Sequence, residues 1–215
     1  VYMDYITHLK PQGLVEQVRI NMIPEQDWLW GVSLDLTQGI IQSWNGIPAA
    51  KQLDAQIKMN ANGGVLNLSN SDTILHFPKM YQQGWLLEQA SGQIFWQIEK
   101  EYLRLAAPKI TAGLDAANLN GAFSFYVPLK ESTLEPQLNL MLGIKNLDLL
   151  QQDKVVPTTA PKEIASWLST NIKAGLAKQA SFIYSGSVAE EPVEFSQTIQ
   201  IYADVHNTRM SYMPQ

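Results

Sequence analysis

Three histidines, His8, His76 and His206, are the first side chains to test for chemistry. They stand far apart, and none has a second ligand at metal-binding spacing. A zinc site draws on clustered His or Cys, so a hydrogen-bonded or surface imidazole is the ordinary role here. Serines are plentiful, but no Gly-x-Ser-x-Gly elbow presents one as a nucleophile. Gly63-Gly64 lacks the Lys-Ser/Thr that follows a phosphate-binding loop, and a hairpin turn explains it better. Paired carboxylates for glycoside cleavage would have to reach a cavity. Asp35, Asp54 and Asp204 instead fall on the polar phase of strand-like segments, and Glu190-Glu191 sits in a proline-bounded turn. The six tryptophans, Trp28, Trp30, Trp44, Trp85, Trp96 and Trp167, could form a sugar-binding platform. Trp96 and Trp167, however, fit apolar stripes and read as core. Nothing here points to an enzyme, and no catalytic residue, metal ligand or cofactor is expected.

The elements that would carry these residues are mostly strands. Leu138, Leu140, Leu142 and Ile144 are apolar at every second position, which gives a strand one dry face. The same alternation runs through Val18–Met22, Val32–Leu36, Leu53–Met59, Leu66–Leu68, Ile94–Ile98, Leu103–Leu105, Phe123–Val127, Ala180–Tyr184 and Ile199–Val205, with a short extended piece at Ile74–Phe77. Asn45-Gly46, Asn62-Gly63-Gly64 and the stretch near Lys100 read as turns. From Pro161 the period changes: Ile164, Trp167, Leu168 and Ile172 form the stripe of an amphipathic helix. Thr159 or Ala160 is its cap, Lys173 lies in its last turn and Gly175 is its left-handed stop. Met3, Ile6 and Leu9 predict a short helix before Pro11. About ten strands with one or two helices make the chain mainly β, with antiparallel hairpins.

Composition bounds the rest. A chain of 215 residues with 46% hydrophobic content can bury a substantial core. The net charge of −5, with scattered Lys and Arg, argues against nucleic acid as a partner. The absence of cysteine rules out disulfides and thiol chemistry. No run of about 18 apolar residues occurs to span a bilayer, and no signal peptide is present. Because it starts at Val1 and stops after strand-like sequence, the chain reads as a piece of a longer protein. Residues 1–215 read as one segment, with the loosest connector at 151–160.

So many one-sided strands cannot leave their dry face to water. Burying four aliphatic side chains of one strand, Leu138 to Ile144, is worth roughly 6–12 kcal/mol. Two solutions fit: a sandwich of two sheets, or a strongly curved sheet whose inner face holds something else apolar, such as acyl chains. Periodicity does not separate them, and on periodicity alone the sandwich is favoured.

Several stretches resemble the YhdP branch of the AsmA-like proteins. They are Leu9-Lys10-Pro11-Gln12-Gly13 before a strand, Asn45-Gly46-Ile47-Pro48 leading into Leu53–Met59, and Gly92-Gln93-Ile94-Phe95-Trp96 ahead of Tyr102-Leu103-Arg104-Leu105. The passage Val156-Pro157, Trp167-Leu168, Ile172, Gly175 and the strand to Gly186 resembles it most, and Tyr202–Pro214 is similar to the start of a next β unit. The resemblance implies a non-enzymatic lipid transporter of Gram-negative bacteria. It would be anchored in the inner membrane and reach across the periplasm as a long, curved antiparallel sheet with a hydrophobic groove, similar to eukaryotic bridge-like lipid transfer proteins. Phospholipid and neighbouring β units of the same chain are then the partners, and membrane contact lies in parts of the parent outside this chain. The residues implied to line the groove are Val18, Ile20, Met22, Val32, Leu34, Leu36, Leu53, Ile57, Leu66, Leu68, Ile94, Trp96, Ile98, Leu103, Leu105, Phe123, Phe125, Leu138, Leu140, Leu142 and Ile144. The helix bearing Ile164, Trp167, Leu168 and Ile172 would face that groove. The alternative is a closed β-sandwich acting as an interaction or carbohydrate-binding module.

Overall fold

A computed structural model describes residues 2–24, 29–44, 47–70, 72–128, 135–156, 158, 162–189 and 197–211. The alternating segments pair as one antiparallel sheet, because each strand's dry side chains gain cover only from the matching side chains of its neighbours. The order is α1 (Tyr2–Leu9), β1 (Gln12–Ile23), β2 (Leu29–Ile41), β3 (Ala49–Asn60), β4 (Gly63–Ser69), β5 (Asp72–His76), β6 (Trp85–Ile98), β7 (Tyr102–Leu114), β8 (Ala117–Pro128), β9 (Gln137–Asp148), a 3₁₀ helix (Leu149–Lys154), α2 (Lys162–Asn171), β10 (Ile172–Ser187) and β11 (Gln197–Met210). Strands follow one another in sequence order across the 11-stranded sheet. β4 and β5 share one position between β3 and β6, broken at Asn70. Among the described residues there is no second sheet, so the sandwich is corrected to a single layer.

Most strands carry a bulge near the same level. Gln38, Gln52, Gln89, Asn146 and Asn207 have φ between 50° and 60°. The pairing shifts register between Leu36 and Gly39, between Glu88 and Ser91, and between Ala107 and Ile110. In β7 the shift falls at Pro108, which has no N–H to give a ladder. A bulge inserts one residue, bends its strand and reverses which residues face inward. The apolar phase reverses in step: Leu53 gives way to Ala50, Ala107 to Ile110, Ile144 to Leu147 and Ala180 to Ala177. Asp54 steadies one bulge by accepting a hydrogen bond from the Gln38 N–H at 2.9 Å. One face therefore stays apolar on both sides of the bend line.

One expected turn and one expected helix stop move. Gly63 and Gly64 are strand residues of β4, and the reversal lies at Ala61-Asn62. There the Asn60 side-chain oxygen accepts from the N–H groups of Asn62 and Gly63 at 2.9 and 3.1 Å. Asn120 and Gly121 lie inside β8, and the β7–β8 reversal is at Asp115-Ala116. The helix α2 ends at Asn171, whose side-chain amide donates to the Trp167 carbonyl at 2.9 Å. Ile172, Lys173 and Gly175 are strand residues of β10, so Ile172 is not on the helix and Gly175 is not its stop. The turn Asn45-Gly46, Thr159, Ala160 and Pro161, Glu190-Glu191, Trp28 and the side chain of Ile164 lie outside the described residues.

Gly64 shows why glycine is needed in a strand. A Cβ there would stand 2.4 Å from the Lys58 carbonyl oxygen and 2.4 Å from Cζ2 of Trp96, whereas one on Gly31 would meet only the Met59 oxygen at 4.0 Å. Gly64→Ala is expected to lower stability by about 1–3 kcal/mol through overpacking, and Gly31→Ala to leave it nearly unchanged. Denaturant midpoints of the two variants measure the difference.

Candidate functional site

Directly opposed residues of an antiparallel pair share a face, so the register can be followed across the sheet. One row runs Val15, Leu36, Ala55, Leu68, Gly92, Ile110, Gly121, Leu142, Phe182, Ile201. It visits all ten strand positions without a polar side chain. A second runs Ile20, Val32, Met59, Gly64, Trp96, Leu105, Phe125, Leu138, Gly186, Gln197. Between them lie Val18, Leu34, Ile57, Leu66 and Ile94 on one side of the β6–β7 register shift. Ala107, Phe123, Leu140, Tyr184 and Ile199 lie on the other. Met22 pairs with Trp30, and Ile98 with Leu103 and, through it, Val127. With Leu53 two residues from Ala55, and Ile144 two from Leu142, every strand residue expected along the groove falls on this face.

Cover varies along it. Near the outer strands the face is open: Ile20 is 58% and Ile201 77% exposed. In the middle, Leu103 and Phe125 fall to 6% and 8% exposure. The side chains packed round them include Trp96, Ile98, Leu105, Phe123 and Leu138, all from the same face. Below the bend line Leu87, Ala90, Ala112 and Leu114 form one buried cluster, and Ala117, Leu147, Leu149 and Ala177 another, with Val155 packed against both.

The opposite face is mostly polar, with Val65, Phe95, Met141 and Ile183 among its apolar side chains, and it is stitched across strands. Gln56 donates to Asp35 at 3.2 Å, Gln93 to Asn67 at 2.8 Å and Ser185 to Asn139 at 2.6 Å, while Ser91 and Thr111 share a bond of 2.8 Å. Such pairs hold neighbouring strands and present water-binding groups outward.

The side chains first tested for chemistry are spread over the sheet. His8 stacks on Trp44 at 4.6 Å between ring centroids, His76 Nε2 bonds the Tyr81 carbonyl at 3.0 Å, and His206 pairs with Asp204 at 3.1 Å. Among the described residues no three His, Cys, Asp or Glu gather as metal ligands. The described tryptophans form no common platform: Trp85 packs against Tyr81 and Phe77, and Trp96 stands in the second row. Trp167 corrects its expected core role, being 49% exposed on α2, whereas Leu168 is half-buried. Its helix is short and lies at the sheet's end, so only part of the stripe reaches neighbouring side chains.

Of the connector expected to be loose at 151–160, residues 151–154 belong to the 3₁₀ helix, which is fastened to the sheet, and 157, 159 and 160 lie outside the described residues. Asp148 caps the helix by accepting from the Leu150 N–H at 2.9 Å. Lys154 pairs with Asp115, the Tyr81 phenol donates to the Val155 carbonyl at 3.2 Å, and Gln152 donates to the Leu168 carbonyl at 3.2 Å. The Thr158 N–H and hydroxyl both donate to the Met80 carbonyl, at 2.7 and 3.0 Å.

Periodicity left Val15, Leu87, Ile110, Leu147 and Leu149 out of the apolar face. Each lies past a bulge, where the count of two slips by one. The detectable signal was the slip itself, visible on either side of Pro108 and Asn146.

A family model described as "YhdP protein" matches residues 2–215 of the chain. No curated protein and no solved structure matches it. Among the described residues no helix is long and apolar enough to cross a membrane.

Burial pushes the Tyr81 phenol from 10.0 up to about 12. The folded chain thus keeps this proton where the unfolded chain loses it, so the contribution is intact below pH 10 and is lost as pH rises towards 12. Burial also raises the Tyr184 phenol, which adds to the same trend. Tyr81→Phe should cost about 1 kcal/mol at neutral pH through the lost hydrogen bond. It should also flatten part of the stability loss above pH 10, as read from denaturant midpoints across that range.

Proposed function

The chain belongs to the YhdP family, and from that membership together with its uncovered apolar face we propose that it is a non-enzymatic lipid-carrying segment. In this reading it forms an interior length of a longer bridge, anchored in the inner membrane and crossing the periplasm, that moves phospholipid towards the outer membrane. The observation that carries the proposal is the row from Val15 to Ile201, apolar or glycine at all ten strand positions of a one-layer sheet.

The physics supports a conduit better than a pocket. Acyl chains laid against the face gain about 0.8 kcal/mol per buried methylene, while headgroups stay hydrated at the rim. Strands stand about 4.8 Å apart, so ten positions extend about 43 Å along the row. That exceeds the roughly 15 Å that one leaflet's tails occupy in a bilayer core of about 30 Å. With no ionisable side chain along the row there is no fixed partner to trap a headgroup, and a tail can slide from strand to strand. The polar face opposite keeps the outside in water. β1 and β11 are the outer strands of the sheet, and all of β1 is exposed. In the bridge reading, neighbouring β units continue the sheet from these edges, which satisfies their open backbone groups.

Leu140 and Met141 are adjacent on β9 and point to opposite faces. Native mass spectrometry of the purified chain is expected to find bound phospholipid. Leu140→Asp should remove it while the chain stays folded, and Met141→Asp should leave it in place. Lipid-free wild-type protein that also refuses added phospholipid would contradict the proposal. So would outright unfolding by Leu140→Asp, which is the several-kcal/mol response of a sealed core to an unpaired charge.

A further inference from the structure

The apolar face has two halves with different covers. Above the bend line the rows are topped by no described element. Below it, the segment 149–156 turns back over the strands. Leu149 packs with Ala117, Leu147 and Ala177, and Val155 touches this cluster and also the one formed by Leu87, Ala90, Ala112 and Leu114. Leu149 sits so close to β10 that a Cβ on Gly175 would lie 2.9 Å from its Cδ1. This strap gives the lower half, from β6 to β10, the aliphatic cover that acyl chains would give the upper half.

We propose that the strap is a built-in occupant of the lower apolar face, which lipid tails displace when the segment is loaded. The inference rests on the lipid-carrying reading and adds a gate to it. Three observations carry it. The cover comes from few side chains, chiefly Leu149 and Val155, rather than from a packed layer. The one ion pair that fastens it is peripheral: Lys154 and Asp115 have side chains 39% and 45% exposed, so their attraction is readily replaced by water. Finally, the strap's own polar packing is incomplete, since the Gln152 Oε1 atom is buried without a hydrogen-bond partner. A group so placed is better satisfied once the strap lifts into solvent. Displacement exchanges one aliphatic cover for another, so the face is dry in both states and the two arrangements can lie close in free energy. Leu150, 62% exposed, is on the strap's open side, where an arriving tail meets apolar surface first.

The chain has no cysteine, so a thiol pair can be placed cleanly. Asp115→Cys with Lys154→Cys, joined by a short disulfide-containing bifunctional reagent, locks the strap down. Uptake is read with vesicles of phosphatidylethanolamine and phosphatidylglycerol carrying a fluorescent-tailed phosphatidylethanolamine. The locked chain should take up about tenfold less lipid than the same variant before linking, with recovery when the linker is reduced. Tyr81→Phe, which frees the Val155 carbonyl, should raise uptake. In the wild-type chain, amide hydrogen exchange over 149–156 should quicken on loading while that of β9 does not. Equal uptake by locked and unlocked chains, or unchanged exchange over 149–156 in a lipid-loaded chain, would overturn the gate and leave the lipid-carrying reading standing. No uptake in any form, wild type included, would overturn both.

Discussion

Opposed residues on an antiparallel ladder must face the same way, and the rest of this molecule depends on that constraint. Each strand contributes one dry side and one wettable side, and in-register pairing joins the dry sides into rows that cross the whole sheet. A single layer then holds an apolar surface that no second sheet covers among the described residues. The physical problem passes from folding to occupancy: something apolar must stand against that face, and the chain supplies only part of it.

The bulges keep that surface continuous. Without an inserted residue near Gln89, Leu87 would share the phase of Ser91 and Gln93 on the polar face. Without the slip at Pro108, Ile110 could not oppose Gly92 and Gly121. Because the slips occur in strand after strand, the sheet bends along a line and its apolar side stays apolar on both arms. Glycines serve the same end by close approach. Gly64 lies under the Trp96 ring and Gly175 under Leu149, where any larger residue would push the cover away. Rows, bend and strap are thus consequences of local backbone choices.

Much of this could be read from the amino acids. The mainly β class, the alternating faces and the family all followed from spacing and wording, because a period of two leaves one physical solution for each strand. The choice between sandwich and single layer was not legible: Leu138, Leu140, Leu142 and Ile144 alternate identically in either. A turn and a helix stop were misplaced where a glycine signal had a packing cause, at Gly63-Gly64 and at Gly175. The extent of the apolar face was underestimated because bulges hide a change of phase that only pairing partners reveal. Spacing alone does not reveal what holds residues 151–156 of the connector at 151–160, because their partners are distant in sequence: Tyr81, Asp115 and Leu168.

The central claim is that the face carrying Leu34, Leu142 and Phe182 meets acyl chains, and that the face carrying Ser33, Met141 and Ser181 meets water. Benzophenone side chains placed singly at these six positions, irradiated with phosphatidylethanolamine vesicles and read by adduct mass, test it directly. The account predicts phospholipid adducts at Leu34, Leu142 and Phe182 and none at their immediate neighbours. Equal labelling of both faces, or no lipid adduct at any position, would contradict it.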